Sequence, residues 1–120
     1  MKISELFSHS LEAEISKYLF NYADNFMSYP DFIYGTIKGK SPAECFGIVY
    51  VGFQSHSRGD IKLWKTKIYS NPVLALEEMR NALKKAAPRF DITFQITNTE
   101  KMFDFPDELI KANSFHKAAI

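Results

Sequence analysis

A single cysteine, Cys45, stands among the 120 residues. No intrachain disulfide can form, and nothing points to a stapled, secreted fold. Net charge is almost absent too, since 15 Lys and Arg against 14 Asp and Glu leave +1. That balance excludes a global electrostatic pull toward nucleic acid or an anionic membrane, while leaving room for a local basic patch. No apolar run approaches the roughly 20 residues of a membrane-spanning helix. The opening stretch MKISELFSHSLEAEIS carries Glu5, Glu12 and Glu14 and lacks the uncharged apolar centre of a signal peptide. The expected setting is therefore cytoplasmic, with no membrane partner.

Catalytic and metal motifs are missing as well. No glycine-rich phosphate loop occurs. The histidines His9, His56 and His116 are scattered, with no zinc-ligand spacing. No pair of acids reads as a general acid and base. Cys45 opens an apolar stretch with no base in a recognisable pairing motif, so it reads as a structural thiol rather than a nucleophile. An enzyme is not expected, nor is a cofactor or metal.

What the chain has in excess is aromatic surface: eleven Phe, six Tyr and one Trp, 15% of the residues. A small core absorbs many of these. A surplus at the surface is the usual raw material of partner contacts. With 46% hydrophobic residues the length fits one globular domain over 1–120, with 97–120 as a packed C-terminal extension whose last residues fray.

Periodicity supplies the elements. Phe7, Leu11, Ile15, Leu19, Tyr22 and Phe26 recur at steps of three and four, predicting a helix over Ser4 to Met27 with Tyr18 and Phe20 widening its apolar stripe. Ser4, Ser8 and Ser10 all offer N-caps. Asp31 to Lys38 reads as a strand, Gly39 to Pro42 as a loop, and Cys45 to Phe53 as a strand apolar on both faces, hence central. Gly47 and Gly52 mark a bulge or a helix packed close across the sheet. Gln54 to Asp60 is a polar loop and Ile61 to Tyr69 a third strand. Asn71-Pro72 is a strong helix start, followed by the stripe Val73, Leu76, Met79, Leu83, Ala87 and a stop at Pro88. In RFDITFQIT, Phe90, Ile92, Phe94 and Ile96 alternate with polar residues and predict a half-buried strand facing the helices. Thr97 with Glu100, and Phe105-Pro106 onward, read as short helical turns.

The expected fold is α+β: a single layer of about four mainly antiparallel strands with two helices on one face. The order is α-β-β-β-α-β plus a short helical C-terminal segment. Helix–strand–strand–strand–helix is also the order of double-stranded RNA-binding domains. Those carry lysines at the start of the second helix. Here Asn71-Pro72-Val73-Leu74 occupies that start, and Lys84-Lys85 stands at the far end. No family is recognised.

The strongest interaction candidate is the stretch QSHSRGD-IKLWK. His56, Arg58, Lys62, Trp64 and Lys65 combine cationic and aromatic groups, the types enriched at interface hot spots. Trp64 also reads as a core anchor. Phe103 and Phe105 in the C-terminal segment are the next candidates. The expected function is that of a small non-enzymatic protein-binding protein, an inhibitor or regulator of the immunity or phage-encoded type. The second reading is a nucleic-acid-binding module using the basic 58–67 hairpin with Lys84, Lys85 and Arg89. A homodimer is a further option, with the first helix as its seam.

Overall fold

A computed structural model of the chain describes residues 10–21, 30–54, 59–97 and 114–115. Of the candidate site residues, His56, Arg58, Phe103 and Phe105 lie outside these, as do the helical turns expected beyond residue 97.

The first described helix is α1, Leu11–Asn21. Ser10 caps it, its Oγ accepting from Ala13 N at 3.1 Å. Leu11, Ile15 and Tyr18 are buried and Leu19 is half-buried. Phe20, expected on the apolar stripe, instead points to solvent at 83% exposure. It lies a full 100° further round than Leu19, beyond the face that meets the sheet.

Strands β1 (Phe32–Ser41) and β2 (Glu44–Gly52) form an antiparallel hairpin. Its turn is tighter than the several-residue loop expected from Gly39 to Pro42. The ladder runs to Ser41–Glu44, leaving Pro42 and Ala43 as the turn, with Ser41 Oγ accepting from Ala43 N. A shift of register between Gly39 and Ser41 makes this fit. Gly39 there has φ +156°, and a Cβ would run into the Glu44 carbonyl, so only glycine suits the position.

Strand β3 is Ile61–Lys65, shorter than the stretch to Tyr69 that was expected. At Thr66 the side chain replaces the backbone in the ladder. Its Oγ1 accepts from Gly47 N at 2.9 Å and bonds Lys67 O at 2.7 Å, while Thr66 N still reaches Gly47 O. The chain rejoins the sheet only at Tyr69, which exchanges both backbone hydrogen bonds with Cys45. Ile68 is left 63% exposed.

Helix α2 (Pro72–Ala86) starts as its sequence dictates, with Asn71 Oδ1 accepting from Val73 N at 2.9 Å. A 3-10 turn over Ala87–Arg89 contains Pro88 and leads to β4, Thr93–Ile96. Strand β5, Ser114–Phe115, lies in the C-terminal extension past the short helical turns expected there, and pairs antiparallel with β4.

The sheet order is β3-β2-β1-β4-β5. β2 is interior but not the middle strand; β1 is. Three pairings are antiparallel, and β1 with β4 is parallel, Phe32 opposite Thr93 through Gly35 opposite Ile96. Helix α2 therefore carries the chain from one side of the hairpin to the other, crossing β2 and β1. It crosses very close: a Cβ on Gly47 would stand 2.7 Å from Met79 Cβ, and one on Gly35 2.6 Å from Met79 Sδ. The core lies between sheet and helices. Ile33, Ile37, Cys45, Val49 and Phe94 meet Leu11, Ile15, Leu76, Met79 and Leu83 there. Ile92 and Ile96 are buried and Phe90 half-buried in the same cluster, as the alternation requires. No described helix is long and apolar enough to cross a membrane.

Candidate functional site

Both helices lie on one side of the sheet, so neither described helix covers the other face. In-register neighbours share a face. The face turned away from the described helices, open as far as these are concerned, carries Phe32, Tyr34, Thr36 and Lys38 from β1, Phe46, Ile48 and Tyr50 from β2, and Thr93 and Gln95 from β4. Thr36 and Ile48 sit opposite one another and are buried; the aromatic residues around them are half-buried. Tyr34 stacks on Tyr50 with ring centroids 5.3 Å apart and planes 23° from parallel. Phe32 lies 5.6 Å from Tyr34, its ring resting over Gly52 on the neighbouring strand.

Strand β3 adds the charge. A register shift between Val49 and Tyr50 puts Lys65 opposite Ile48 and Lys62 opposite Tyr50. Strict alternation would send residues three apart to opposite faces, but the bulge brings these two lysines to the same one. It sends Trp64, opposite Val49, to the helix side, where it is half-buried against the core. Lys65 Nζ lies 5.8 Å from the Phe46 ring centroid and Lys38 Nζ 5.3 Å from that of Tyr50. Each cation faces the negative side of a ring quadrupole. The Tyr34 hydroxyl donates to Asp60 Oδ2 at the start of β3. Burial, and then that carboxylate, push the Tyr34 phenol far above its ordinary value, so it stays protonated as a donor.

Of the expected site residues, the structure thus brings Lys62 and Lys65 together and parts them from Trp64. Lys84 and Lys85 are exposed on α2, in the helix layer, and Arg89 Nε is 2.9 Å from Glu12 Oε2. The basic residues of the nucleic-acid reading are therefore split between two layers. Lys38, Tyr34, Tyr50 and Phe46 were missed as a group. Their signal was the two-residue period of FIYGTIK and CFGIVYV, whose second face is aromatic rather than polar.

On the helix side, Trp64 lines an open cleft of about 710 Å³ with Ser10, Glu14, Thr66, Lys67 and Glu78. Glu78 Oε1 accepts from the Tyr69 hydroxyl at 3.0 Å, while its buried Oε2 has no hydrogen-bond partner among the described residues. Burial, then the Glu78 bond, raise the Tyr69 phenol. Cys45 is fully buried, its Sγ 3.5 Å from Pro42 O, and burial raises its thiol. Among the described residues no cluster of His, Cys, Asp and Glu could hold a metal ion.

No protein-family model, curated protein or solved structure matches the chain.

Proposed function

We propose that this is a small non-enzymatic binding protein, an inhibitor or regulator, which works by direct contact with a partner protein through the open face of its sheet. The observation that carries the reading is the aromatic centre of Phe32, Tyr34, Phe46 and Tyr50 bordered by exposed Lys38, Lys62 and Lys65. An apolar, aromatic centre with a charged rim is the anatomy of a protein interface. Large rings held by neighbours lose little entropy on binding, which is why aromatic residues dominate hot spots. Nucleic acid fits less well. Base stacking needs free ring faces, whereas the Tyr50 ring is engaged by Tyr34 and by the Lys38 ammonium.

A benzophenone side chain placed at position 62, on the open face, tests this against one at position 85, on the helix layer. In nuclease-treated native extract, position 62 is expected to trap a discrete protein and position 85 not. Trapping of that protein only from position 85 would overturn the assignment. An adduct that vanishes with nuclease would transfer the face to nucleic acid.

A further inference from the structure

The outer side of β3 combines a strand edge with a groove. Two clefts of about 710 and 220 Å³ meet there and share Glu14 and Leu63. Between them they are lined by every residue from 61 to 67, so they run along the strand rather than across it. Their other wall is one stripe of α1 with its cap: Ser10, Glu14, Lys17 and Asn21, at steps of three and four. Leu63 and Trp64, half-buried against the core, make the groove partly apolar.

The ladder fixes which backbone groups face outward. Thr66 N donates to Gly47 O, and Cys45 exchanges both backbone bonds with Tyr69. The odd-numbered residues of β2 therefore turn their N–H and C=O groups toward β3, and Ile48 and Tyr50 turn theirs toward β1. Lys65 stands opposite Ile48 and Lys62 opposite Tyr50. The N–H and C=O groups of both lysines thus point away from β2. β3 ends the described sheet, and no described strand takes these groups up. Such an edge is a template for another extended chain. A groove beside it gives the side chains of that chain a place to lodge.

Charge selects which chain. The Lys62 and Lys65 side chains share the face turned from the helices, where the Lys65 ammonium lies over the Phe46 ring and keeps donors for a stronger acceptor. An adjacent strand sets its own residues beside these on the same face. Two lysines there repel a basic strand and favour an acidic one. They stand opposite β2 residues two apart, so about 7 Å separates them along the sheet, the repeat of one face of an extended chain. The alternate residues of that chain turn to the helix side, toward Leu63 and Trp64, where apolar groups fit best.

We infer that the β3 edge receives an extended segment of a partner protein as an added strand. Its acidic residues, at alternate positions, meet Lys62 and Lys65, and the apolar residues between them enter the groove along α1. The site is the edge of the sheet, and it stands whether or not the aromatic face is also used.

The test uses the full chain and a short synthetic peptide of alternating Glu and Val, read by NMR of the backbone amides. The Lys62 and Lys65 amide protons are expected to move downfield and to exchange more slowly with solvent, because they gain acceptors. A peptide of the same composition with Glu and Val in separate blocks binds more weakly, and one with Lys in place of Glu does not bind. Strand pairing uses only one side of the peptide backbone. Methylating the nitrogens of one alternate set, Glu or Val, therefore abolishes binding, and methylating the other set spares it. Lys65→Pro removes an outward N–H and abolishes binding with an unchanged melting curve. Should it disturb the fold, Lys62→Glu with Lys65→Glu reverses the preference toward the Lys peptide. Amide shifts absent from β3, or binding indifferent to which set is methylated, overturn the inference. So do shifts confined to the Phe32 and Tyr34 rings, which place the peptide on the aromatic face instead. Self-association that protects the same amides without peptide also overturns it, and assigns the edge to a second copy of the chain.

Discussion

Two glycines show how one missing methyl group sets the distance between layers. Gly35 and Gly47 lie beneath Met79, but the clashes a methyl would make there differ in kind. At Gly35 it would meet the mobile sulfur of Met79, while at Gly47 it would meet Met79 Cβ, fixed to the helix backbone. Gly47→Ala must therefore push α2 off the sheet. A cost of about 1–3 kcal/mol is expected, as for other overpacked cores; an unchanged denaturant midpoint would refute this. Cys45 gives a second prediction at this scale. With a fully buried sulfur and a raised thiol pKa, it should label slowly with a thiol reagent in native protein and fast in denaturant. Rapid native labelling would reopen a chemical role for it. That Cys45 is buried was legible, because its neighbours are apolar. The close helix crossing at Gly47 was legible as one of two options. Gly52 was not, since what covers it is the Phe32 ring on the opposite face.

Among the elements, β4 was the easiest to foresee. It is half-buried with strict alternation, and Phe94 is its one fully buried large ring. Phe94→Ala should cost about 3–5 kcal/mol in a denaturation experiment. Asn71→Ala tests the start of α2: losing the bond to Val73 N should cost about 1 kcal/mol, seen as a lower melting temperature without change in helix content. Strand β3 was the hardest element. Its sequence alternates poorly because its pairing is interrupted twice, by the register shift facing Val49 and Tyr50 and by the Thr66 hydroxyl. Both depend on the pairing with β2 across the intervening loop, so no pattern within β3 itself announces them. The candidate site shared this fate. Lys62 and Lys65 were both candidates, but alternation alone puts them on opposite faces, and their common face is a product of the bulge. The same short, bulged, lysine-bearing edge discourages pairing with a stray strand.

Among the described residues, the titrating groups held away from their ordinary range all shift the same way. Cys45, Tyr34 and Tyr69 are raised above ordinary values of 9 for the thiol and 10 for the phenols. The folded state thus binds these protons more tightly than the unfolded chain. Their contribution is fully present below the unfolded values and is lost as pH climbs through the raised ones. The denaturant midpoint should fall as pH rises beyond about 9, and Tyr69→Phe should make the fall shallower; a midpoint that rises there would contradict the assignment. The α+β layering and element order were legible from periodicity, whereas the parallel β1–β4 pairing was not, because strand direction is decided by where α2 delivers the chain. That pairing has a kinetic consequence. The β1–β2 hairpin is local, but β1 and β4 are joined across roughly 60 residues, and such closure is slow relative to hairpin formation. On a ribosome, a chain released only as far as α2 has no strand to place at the vacant edge of β1, and Phe94 is still missing from the core. The nascent chain therefore carries a β1 edge without its β4 partner until Ile96 has emerged.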